Sequence, residues 1–208
     1  MTRIKICGIT NLDDALAACD AGADAIGFVL APEALKRNRY IDPEAARAIA
    51  LKIPAYVVTV GVVVNEPLER VRQYLGFLDR IQLHGDESPQ YCAAAGPRAY
   101  KAVRPAAESG ADEFTRWPGT TLLLDALVEG EHGGTGQRCD WNAAVRAKQS
   151  GRMIILAGGL TPENIEEAIQ RVRPWAVDVS GGVELTPGKK SHEKIRTFVH
   201  NVRKASLA

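Results

Sequence analysis

The sequence has no long apolar run and no marked excess of charge of either sign. A helix that crosses a membrane needs roughly 18 consecutive apolar residues, and no stretch of the chain approaches that length. The formal net charge is +1, which gives no electrostatic basis for binding nucleic acid or an anionic membrane surface. We therefore predict neither a nucleic-acid partner nor a membrane partner.

Clustered cysteines are also absent. The four cysteines, Cys7, Cys19, Cys92 and Cys139, are widely spread and show neither a CxxC pair nor the spacing of a zinc site. The sequence shows no secretory segment, so we expect reduced thiols and a cytoplasmic location. We predict no metal site.

The length and composition indicate one ordinary domain. A chain of 208 residues is long enough for one full hydrophobic core and short for two. Its 46% hydrophobic and 25% charged residues are typical of globular proteins. No linker, low-complexity tract or charge run divides the chain, so we predict a single catalytic domain over residues 1–208.

Short apolar runs rich in β-branched residues alternate with helical segments. The predicted strands are Arg3–Cys7, Ala25–Leu30, Tyr56–Val64, Arg80–Leu83, Ala99–Val103, Thr121–Asp125, Met153–Ala157 and Ala176–Val179. The predicted helices are Leu12–Ala21, Pro43–Leu51, Pro67–Leu75, Pro89–Ala95, Ala107–Arg116, Trp141–Lys148, Pro162–Arg171 and His192–Lys204. Three helices are predicted to begin with a proline behind an N-cap residue, at Asp42–Pro43, Ser88–Pro89 and Thr161–Pro162.

Eight strands alternating with eight helices predict an α/β fold with a parallel sheet. The strands are almost continuously apolar, as expected when helices cover the sheet. An open doubly wound sheet uses the same alternation, but a closed (β/α)8 TIM barrel fits the count better. The active site of such a barrel lies at the carboxyl ends of the strands.

Those strand ends carry side chains suited to acid–base chemistry. Cys7 ends the first strand, where a helix N-terminus capped by Asn11 can lower a thiol pKa, although free cysteine is usually buried and inert. Asp125 ends an apolar run that can raise its pKa and make it a general acid; a capping role is the alternative. His84 suits an acid, a base or a packing role. The remaining strand-end candidates are the loop 32–39, Asn65 and Arg104.

Two glycine turns follow the seventh and eighth strands, at Gly158-Gly159 and Ser180-Gly181-Gly182. Loops at these two positions of a barrel frequently bind phosphate through backbone N–H groups. A tight turn alone also accounts for glycine, but the pairing favours phosphate binding. Asp178 is expected to hold the second turn by hydrogen bonding. The run Gly133–Gly136 lacks the lysine of a P-loop and is interpreted as a flexible lid.

Several motifs occur in order across essentially the whole chain: Lys5-Ile6-Cys7-Gly8-Ile9-Thr10, Gly22-Ala23-Asp24-Ala25-Ile26-Gly27-Phe28-Val29, Val60-Gly61-Val62, Gln82-Leu83-His84-Gly85, Leu123-Leu124-Asp125, Gly133-Gly134-Thr135-Gly136, Leu156-Ala157-Gly158-Gly159-Leu160 and Asp178-Val179-Ser180. Together they resemble the signatures of the phosphoribosylanthranilate isomerase family. The resemblance implies a cytoplasmic enzyme of tryptophan biosynthesis on a TIM barrel. It would isomerise N-(5-phosphoribosyl)anthranilate to 1-(2-carboxyphenylamino)-1-deoxyribulose 5-phosphate without a cofactor, as a monomer or homodimer.

The resemblance also implies residue roles. The general base falls on Cys7 and the general acid on Asp125. The substrate phosphate would rest on four residues of the glycine turns, namely Gly158, Gly159, Ser180 and Gly181. An arginine of the second βα loop would bind the anthranilate carboxylate; Arg39 aligns best and Arg37 second.

The chain departs from the family pattern at three places. The loop 31–40 is a few residues longer, which leaves the arginine assignment between Arg39 and Arg37 open. Gly181 stands where the family commonly has a second serine, and Ser191 where it usually has aspartate before the last helix. None of these changes removes the predicted acid or base, so we expect an active enzyme.

Three other functions fit parts of the pattern. A metal-dependent epimerase would need ligands at several strand ends, where only His84 is available. A Schiff-base aldolase would need a strand-end lysine, and Lys101 lies within the fifth strand. A silent barrel that binds a phosphorylated metabolite would need neither Cys7 nor Asp125, so the presence of both argues against it.

Overall fold

The computed structural model describes residues 1–106, 109–126 and 139–207. Eight parallel strands pair in chain order, and the first also pairs with the last, which closes a barrel. The strands are β1 Arg3–Cys7, β2 Ala25–Val29, β3 Val58–Val63, β4 Arg80–Leu83, β5 Ala99–Val103, β6 Thr121–Leu124, β7 Met153–Leu156 and β8 Ala176–Val179. The closed barrel confirms the predicted (β/α)8 fold and excludes an open doubly wound sheet.

Helices follow the strands and cover the outside of the barrel. They are α1 Leu12–Asp20, α2 Pro43–Ala50, α3 Leu68–Tyr74, α4 Pro89–Ala95, α5 Ala111–Thr115, α6 Trp141–Lys148, α7 Ile165–Val172 and α8 His192–Ala205. The predicted N-caps Asn11, Asp42 and Ser88 are confirmed, because each side chain accepts a hydrogen bond from a backbone N–H of the first turn. The predicted fifth helix began at residue 107, which lies outside the described residues.

The predicted start of the seventh helix is wrong. That helix begins at Ile165 instead of Pro162. Asn164 Oδ1 accepts a hydrogen bond from the N–H of Thr161, and Thr161 Oγ1 accepts one from Glu163. These side-chain bonds hold a separate turn ahead of the helix, as is typical of Ser, Thr and Asn.

Two loop elements were not predicted from the sequence. The long loop after β2 forms a 3₁₀ helix over Pro32–Arg37, and the chain after β8 forms a hairpin of β9 Glu184–Thr186 and β10 Lys189–Lys190. A Cβ on Gly188 would overlap the carbonyl oxygen of Asn38. Glycine therefore lets the hairpin pack directly against the end of the 3₁₀ helix.

Strand residues alternate between two environments, as successive side chains of a strand must. The outward-facing set packs under the helices in the main hydrophobic core. The inside of the barrel holds a smaller apolar cluster of Ala102, Leu123, Ile155, Ala157 and Ala176, with polar side chains above it. Among the described residues, no helix has the length and apolar character needed to cross a membrane.

Candidate active site

A cavity of about 380 Å³ opens at the carboxyl ends of the barrel strands. Its lining includes the ten residues to which the sequence interpretation gave a catalytic or substrate-binding role: Cys7, Arg37, Arg39, His84, Asp125, Gly158, Gly159, Asp178, Ser180 and Gly181. These positions meet because all eight strands end at one face of the barrel. Asn65 and Arg104 lie outside the described lining. The predicted lid, 133–136, lies outside the described residues.

The Cys7 thiol is buried at the end of β1 beside Lys5. Burial raises its pKa and the charge of Asp178 raises it further, whereas the nearby ammonium groups of Lys5 and Lys190 lower it; the net effect is a raised pKa. The expectation that a helix N-terminus lowers this pKa is therefore wrong. Helix α1 begins only at Leu12, and burial is the dominant influence on the sulfur.

Lys5 is a buried cation beside Cys7. Its Nζ donates to Asp178 Oδ2 at 2.8 Å and to Gln82 Oε1 at 3.1 Å. Burial opposes a charge on Lys5, but Asp178, together with Cys7 and Tyr100, outweighs burial and holds the Lys5 pKa above its usual range. A Cβ on Gly27 of the adjacent strand would lie 2.7 Å from the sulfur of Cys7 and 2.9 Å from Lys5 Cε, so glycine gives both side chains room.

The sequence interpretation missed Lys5 and Gln82. Each lies two residues before a predicted site residue, Lys5 before Cys7 and Gln82 before His84. Side chains two apart on a strand share a face. The alternation of side chains along a strand therefore predicts that Lys5 and Gln82 point into the barrel, on the same side as Cys7 and His84.

Asp178 has a different partner from the predicted one. We expected it to hold the phosphate turn, but its Oδ2 accepts the hydrogen bond from Lys5. Its Oδ1 is buried without a hydrogen-bond partner among the described residues. Asp178 therefore stabilises the charge on Lys5 and does not hold the turn.

Asp125 directly follows β6 and faces His84. Its Oδ1 accepts a hydrogen bond from the N–H of Ala126 at 2.8 Å, and its Oδ2 lies 3.2 Å from His84 Nε2, off the axis of a well-formed hydrogen bond. Burial raises the pKa of Asp125, but His84, the Ala126 N–H and the charge of Arg104 outweigh burial and lower the pKa. The expectation of a raised pKa is therefore wrong for this structure.

The two glycine turns touch each other. Gly158 and Gly159 have φ of +79° and +62°, a region that favours glycine. A Cβ on Gly158 would lie 2.8 Å from the Ala126 nitrogen, and one on Gly182 would overlap the carbonyl oxygen of Leu160. Among the described residues, the N–H groups of Gly158 and Gly159 have no acceptor, so they suit an anion in the cavity.

Arg39 lines the cavity but is already bound to a carboxylate. Its Nε lies 2.9 Å from Glu184 Oε1 and its Nη2 lies 2.7 Å from Glu184 Oε2, the bidentate geometry of a strong ion pair. A Cβ on Gly181 would lie 2.8 Å from Arg39 Nη2. Glycine at the position where the family commonly has serine therefore leaves room for this guanidinium. Arg37 also lines the cavity.

Lys190 lies beneath the second glycine turn. Its Nζ is 2.9 Å from Glu184 Oε1 and 3.2 Å from the carbonyl oxygen of Ser180. Burial raises the pKa of Glu184, but Arg39 and Lys190 outweigh burial and lower it. Two cations, Arg39 and Lys190, thus face the one carboxylate of Glu184 beside the glycine turns. The sequence interpretation missed Glu184 and Lys190 because only loop packing brings them here.

The lysine that an aldolase would use has another role. Lys101 Nζ lies 3.1 Å from Glu87 Oε2 and donates to the carbonyl oxygens of Gly85 and Ala102, both at 2.7 Å. It lies outside the described cavity lining and ties rim loops together. Within the described part of the chain, no group of three or more His, Cys, Asp or Glu side chains is placed to hold a metal ion.

Comparison with known proteins gives consistent matches over the full chain. The family model described as N-(5'phosphoribosyl)anthranilate (PRA) isomerase matches residues 4–201. The N-(5'-phosphoribosyl)anthranilate isomerase of Geobacter sp. strain M21 is 48% identical, with 99% of this chain and 100% of the relative covered.

Solved structures agree with the sequence matches. The phosphoribosyl anthranilate isomerase of Thermus thermophilus is 42% identical with a TM-score of 0.88, and both chains are covered completely. A second phosphoribosyl anthranilate isomerase, 40% identical with a TM-score of 0.82, covers 98% of this chain and 100% of its own. That protein was solved in complex with reduced 1-(o-carboxyphenylamino)-1-deoxyribulose 5-phosphate.

Proposed function

The chain belongs to the N-(5'-phosphoribosyl)anthranilate isomerase family, and we therefore propose that it converts N-(5'-phosphoribosyl)anthranilate to 1-(2-carboxyphenylamino)-1-deoxyribulose 5-phosphate. This is an aldose–ketose isomerisation of tryptophan biosynthesis. The observation that carries the proposal is the single cavity that holds a thiol, a carboxyl group and two glycine turns. A phosphate-binding barrel without chemistry would need only the turns.

The reaction begins at the ribose ring oxygen. Protonated Asp125 gives its proton to this oxygen while the bond from the oxygen to C1 breaks, which opens the furanose to an iminium. The free site favours the carboxylate, because His84 and the Ala126 N–H lower the Asp125 pKa. A bound substrate adds a carboxylate and a phosphate and excludes water, and both effects raise a carboxyl pKa. Substrate binding therefore favours the protonated acid.

Cys7 completes the isomerisation at C2. Its thiolate removes the C2 proton, the electron pair moves to the C1–C2 bond, and the iminium becomes a neutral enolamine. The enolamine then tautomerises to the ketone, so the reaction needs no net oxidant. The positive charge of Lys5 favours the thiolate against the burial that opposes it.

The substrate's two anionic ends fit two parts of the cavity wall. The N–H groups of the turns at Gly158-Gly159 and Ser180-Gly181 receive the phosphate, with the Lys190 ammonium beneath. Arg39 receives the anthranilate carboxylate, and Arg37 is the alternative. No cofactor enters this scheme, because it consists of proton transfers and the ring opening that the first of them drives.

The wider assignments follow from the same proposal. Residues 1–208 would act as one catalytic domain, as a monomer or homodimer. The partner is a small phosphorylated substrate, with no nucleic acid or membrane involved. A cytoplasmic location agrees with the four free cysteines.

The proposal is tested by turnover of freshly generated N-(5'-phosphoribosyl)anthranilate, followed by the loss of its fluorescence. We expect the protein to accelerate this loss, and to do so equally after exhaustive treatment with a chelator. A rate equal to that of buffer alone would exclude the isomerase activity. A rate abolished by the chelator and restored by metal would exclude the metal-free proton-transfer scheme.

A further inference from the structure

A network of buried polar side chains crosses the inside of the barrel, and all of its members except Lys5 line the cavity. It begins at Asp178 and Lys5, continues through Gln82 to His84, and ends at Asp125. Gln82 Nε2 lies 2.6 Å from His84 Nδ1, and the other contacts measure between 2.8 and 3.2 Å. All five residues are buried. Lys5 and Asp178 have so far been linked only to the charge beside Cys7, and Gln82, which joins them to His84, has no assigned task.

Lys5 determines which groups donate and which accept hydrogen bonds along this network. Its ammonium has only donors to offer, and Asp178 holds it in the charged form. The oxygen of the Gln82 amide must therefore face Lys5. The hydroxyl of Tyr100 donates to the same oxygen at 3.1 Å, which fixes the amide further.

The Gln82 orientation in turn decides where His84 carries its proton. With the Gln82 oxygen toward Lys5, its NH2 group points at His84 Nδ1. Two donors cannot face each other at 2.6 Å, so Nδ1 must be the unprotonated acceptor. A neutral imidazole then carries its proton on Nε2, the nitrogen that lies 3.2 Å from Asp125 Oδ2.

We propose that Lys5 and Gln82 are positioning residues that lock His84 as the neutral tautomer with its proton on Nε2. An Nε2–H that faces Asp125 stabilises the carboxylate that forms as Asp125 gives up its proton. The kinetic part of this inference rests on the proposed role of Asp125. The position of the proton on His84 is independent of that role.

The direct test is ¹⁵N NMR of the free protein with labelled histidine. The chain has four histidines, and the His84→Asn variant assigns the His84 signals. We expect the wild-type protein to show a protonated Nε2 and a bare Nδ1. A protonated Nδ1 with a bare Nε2 would overturn the proposal without any variant having to fold.

A variant of Gln82 tests the coupling to catalysis. Gln82→Glu places an acceptor opposite Nδ1, so Nδ1 should gain a proton. If His84 stays neutral, its unprotonated Nε2 accepts a hydrogen bond from protonated Asp125 and holds that proton. If His84 becomes a cation, its positive charge favours the ionised form of Asp125. Both outcomes weaken the acid, so kcat should fall roughly tenfold or more, within the 10²–10⁴-fold that a positioned acid contributes, with KM little changed.

Tyr100→Phe is the matched control, because it removes one donor to Gln82 but leaves Lys5 in place. It should keep Nδ1 bare and kcat close to the parent value. If Gln82→Glu folds and leaves both Nδ1 and kcat unchanged, the proposal is wrong. If the parent protein turns over no substrate but carries its His84 proton on Nε2, the proposed function fails while this inference stands.

Discussion

At the residue scale, the base and the acid sit in environments that favour their inactive protonation states. Burial raises the pKa of Cys7 and so favours the thiol, whereas His84 helps to lower the pKa of Asp125 and so favours the carboxylate. The active form needs the opposite state at both groups. Only a small fraction of free molecules therefore carries the productive arrangement in the neutral range.

This reversed arrangement predicts a flat pH profile for kcat/KM, which reports the free enzyme. Below the pKa of Cys7 the thiolate fraction rises about tenfold per pH unit, and above the pKa of Asp125 the protonated fraction falls by about the same factor. The two changes cancel between the two pKa values. We expect a plateau through the neutral range, measured at pH values where the substrate phosphate is fully ionised. A steep rise across that range would contradict the assigned pair.

Arg39 gives a second prediction at this scale. A charge-assisted hydrogen bond is worth about 1.5–3 kcal/mol, but Arg39 must exchange Glu184 for the substrate carboxylate, which reduces the net gain. Arg39→Ala should therefore lower kcat/KM by about tenfold, mainly through KM. Arg37→Ala is the comparison variant. A large loss in Arg37→Ala and none in Arg39→Ala would reverse the assignment.

At the element scale, the loops of the seventh and eighth βα units form one structure. Gly182 approaches the carbonyl oxygen of Leu160 so closely that no Cβ fits, and Asn164 Nδ2 donates to the carbonyl oxygen of Gly159 at 2.8 Å. The strain of any added side chain at Gly182 falls on the backbone of both turns. The geometry of the proposed phosphate site thus depends on a position that need not touch the phosphate.

Gly182→Ala tests this dependence. Overpacking in a tight contact costs typically about 1–3 kcal/mol, so we expect that loss in the free energy of unfolding, measured by denaturant titration, and a raised KM. Gly110→Ala is the control, because a Cβ there meets no atom of the described residues within 4 Å. If Gly182→Ala is as stable as Gly110→Ala and keeps the parent KM, the two turns are independent.

The strands were more predictable than the loops. Continuous apolar runs and the caps at Asn11, Asp42 and Ser88 are local signals, and the structure confirms them. The start of α7 could not be read from Thr161–Pro162, because Asn164 closes a competing turn. The helix-start pattern of Thr161–Pro162 does not show that the side chain of Asn164 accepts a hydrogen bond from the Thr161 N–H and so forms a separate turn.

At the scale of the whole molecule, barrel closure explains why site residues predicted from distant parts of the sequence line one cavity. Strand ends from Cys7 to Gly181 converge on one cavity whatever their separation in the chain. The electrostatics of the site could not be predicted in the same way. The pairing of Arg39 with Glu184, and of Asp125 with His84, depends on which side chains meet across different loops and strands.

The central claim is that Cys7 and Asp125 act as base and acid within this one cavity. Its most direct test is kcat at saturating substrate for Cys7→Ser and Asp125→Asn, beside the parent protein. A serine hydroxyl is a far weaker base than a thiol near neutral pH, and asparagine has no acidic proton to give. We predict that each variant loses about 10²–10⁴-fold in kcat while still binding substrate. A near-parental kcat in either variant would contradict the role assigned to that residue.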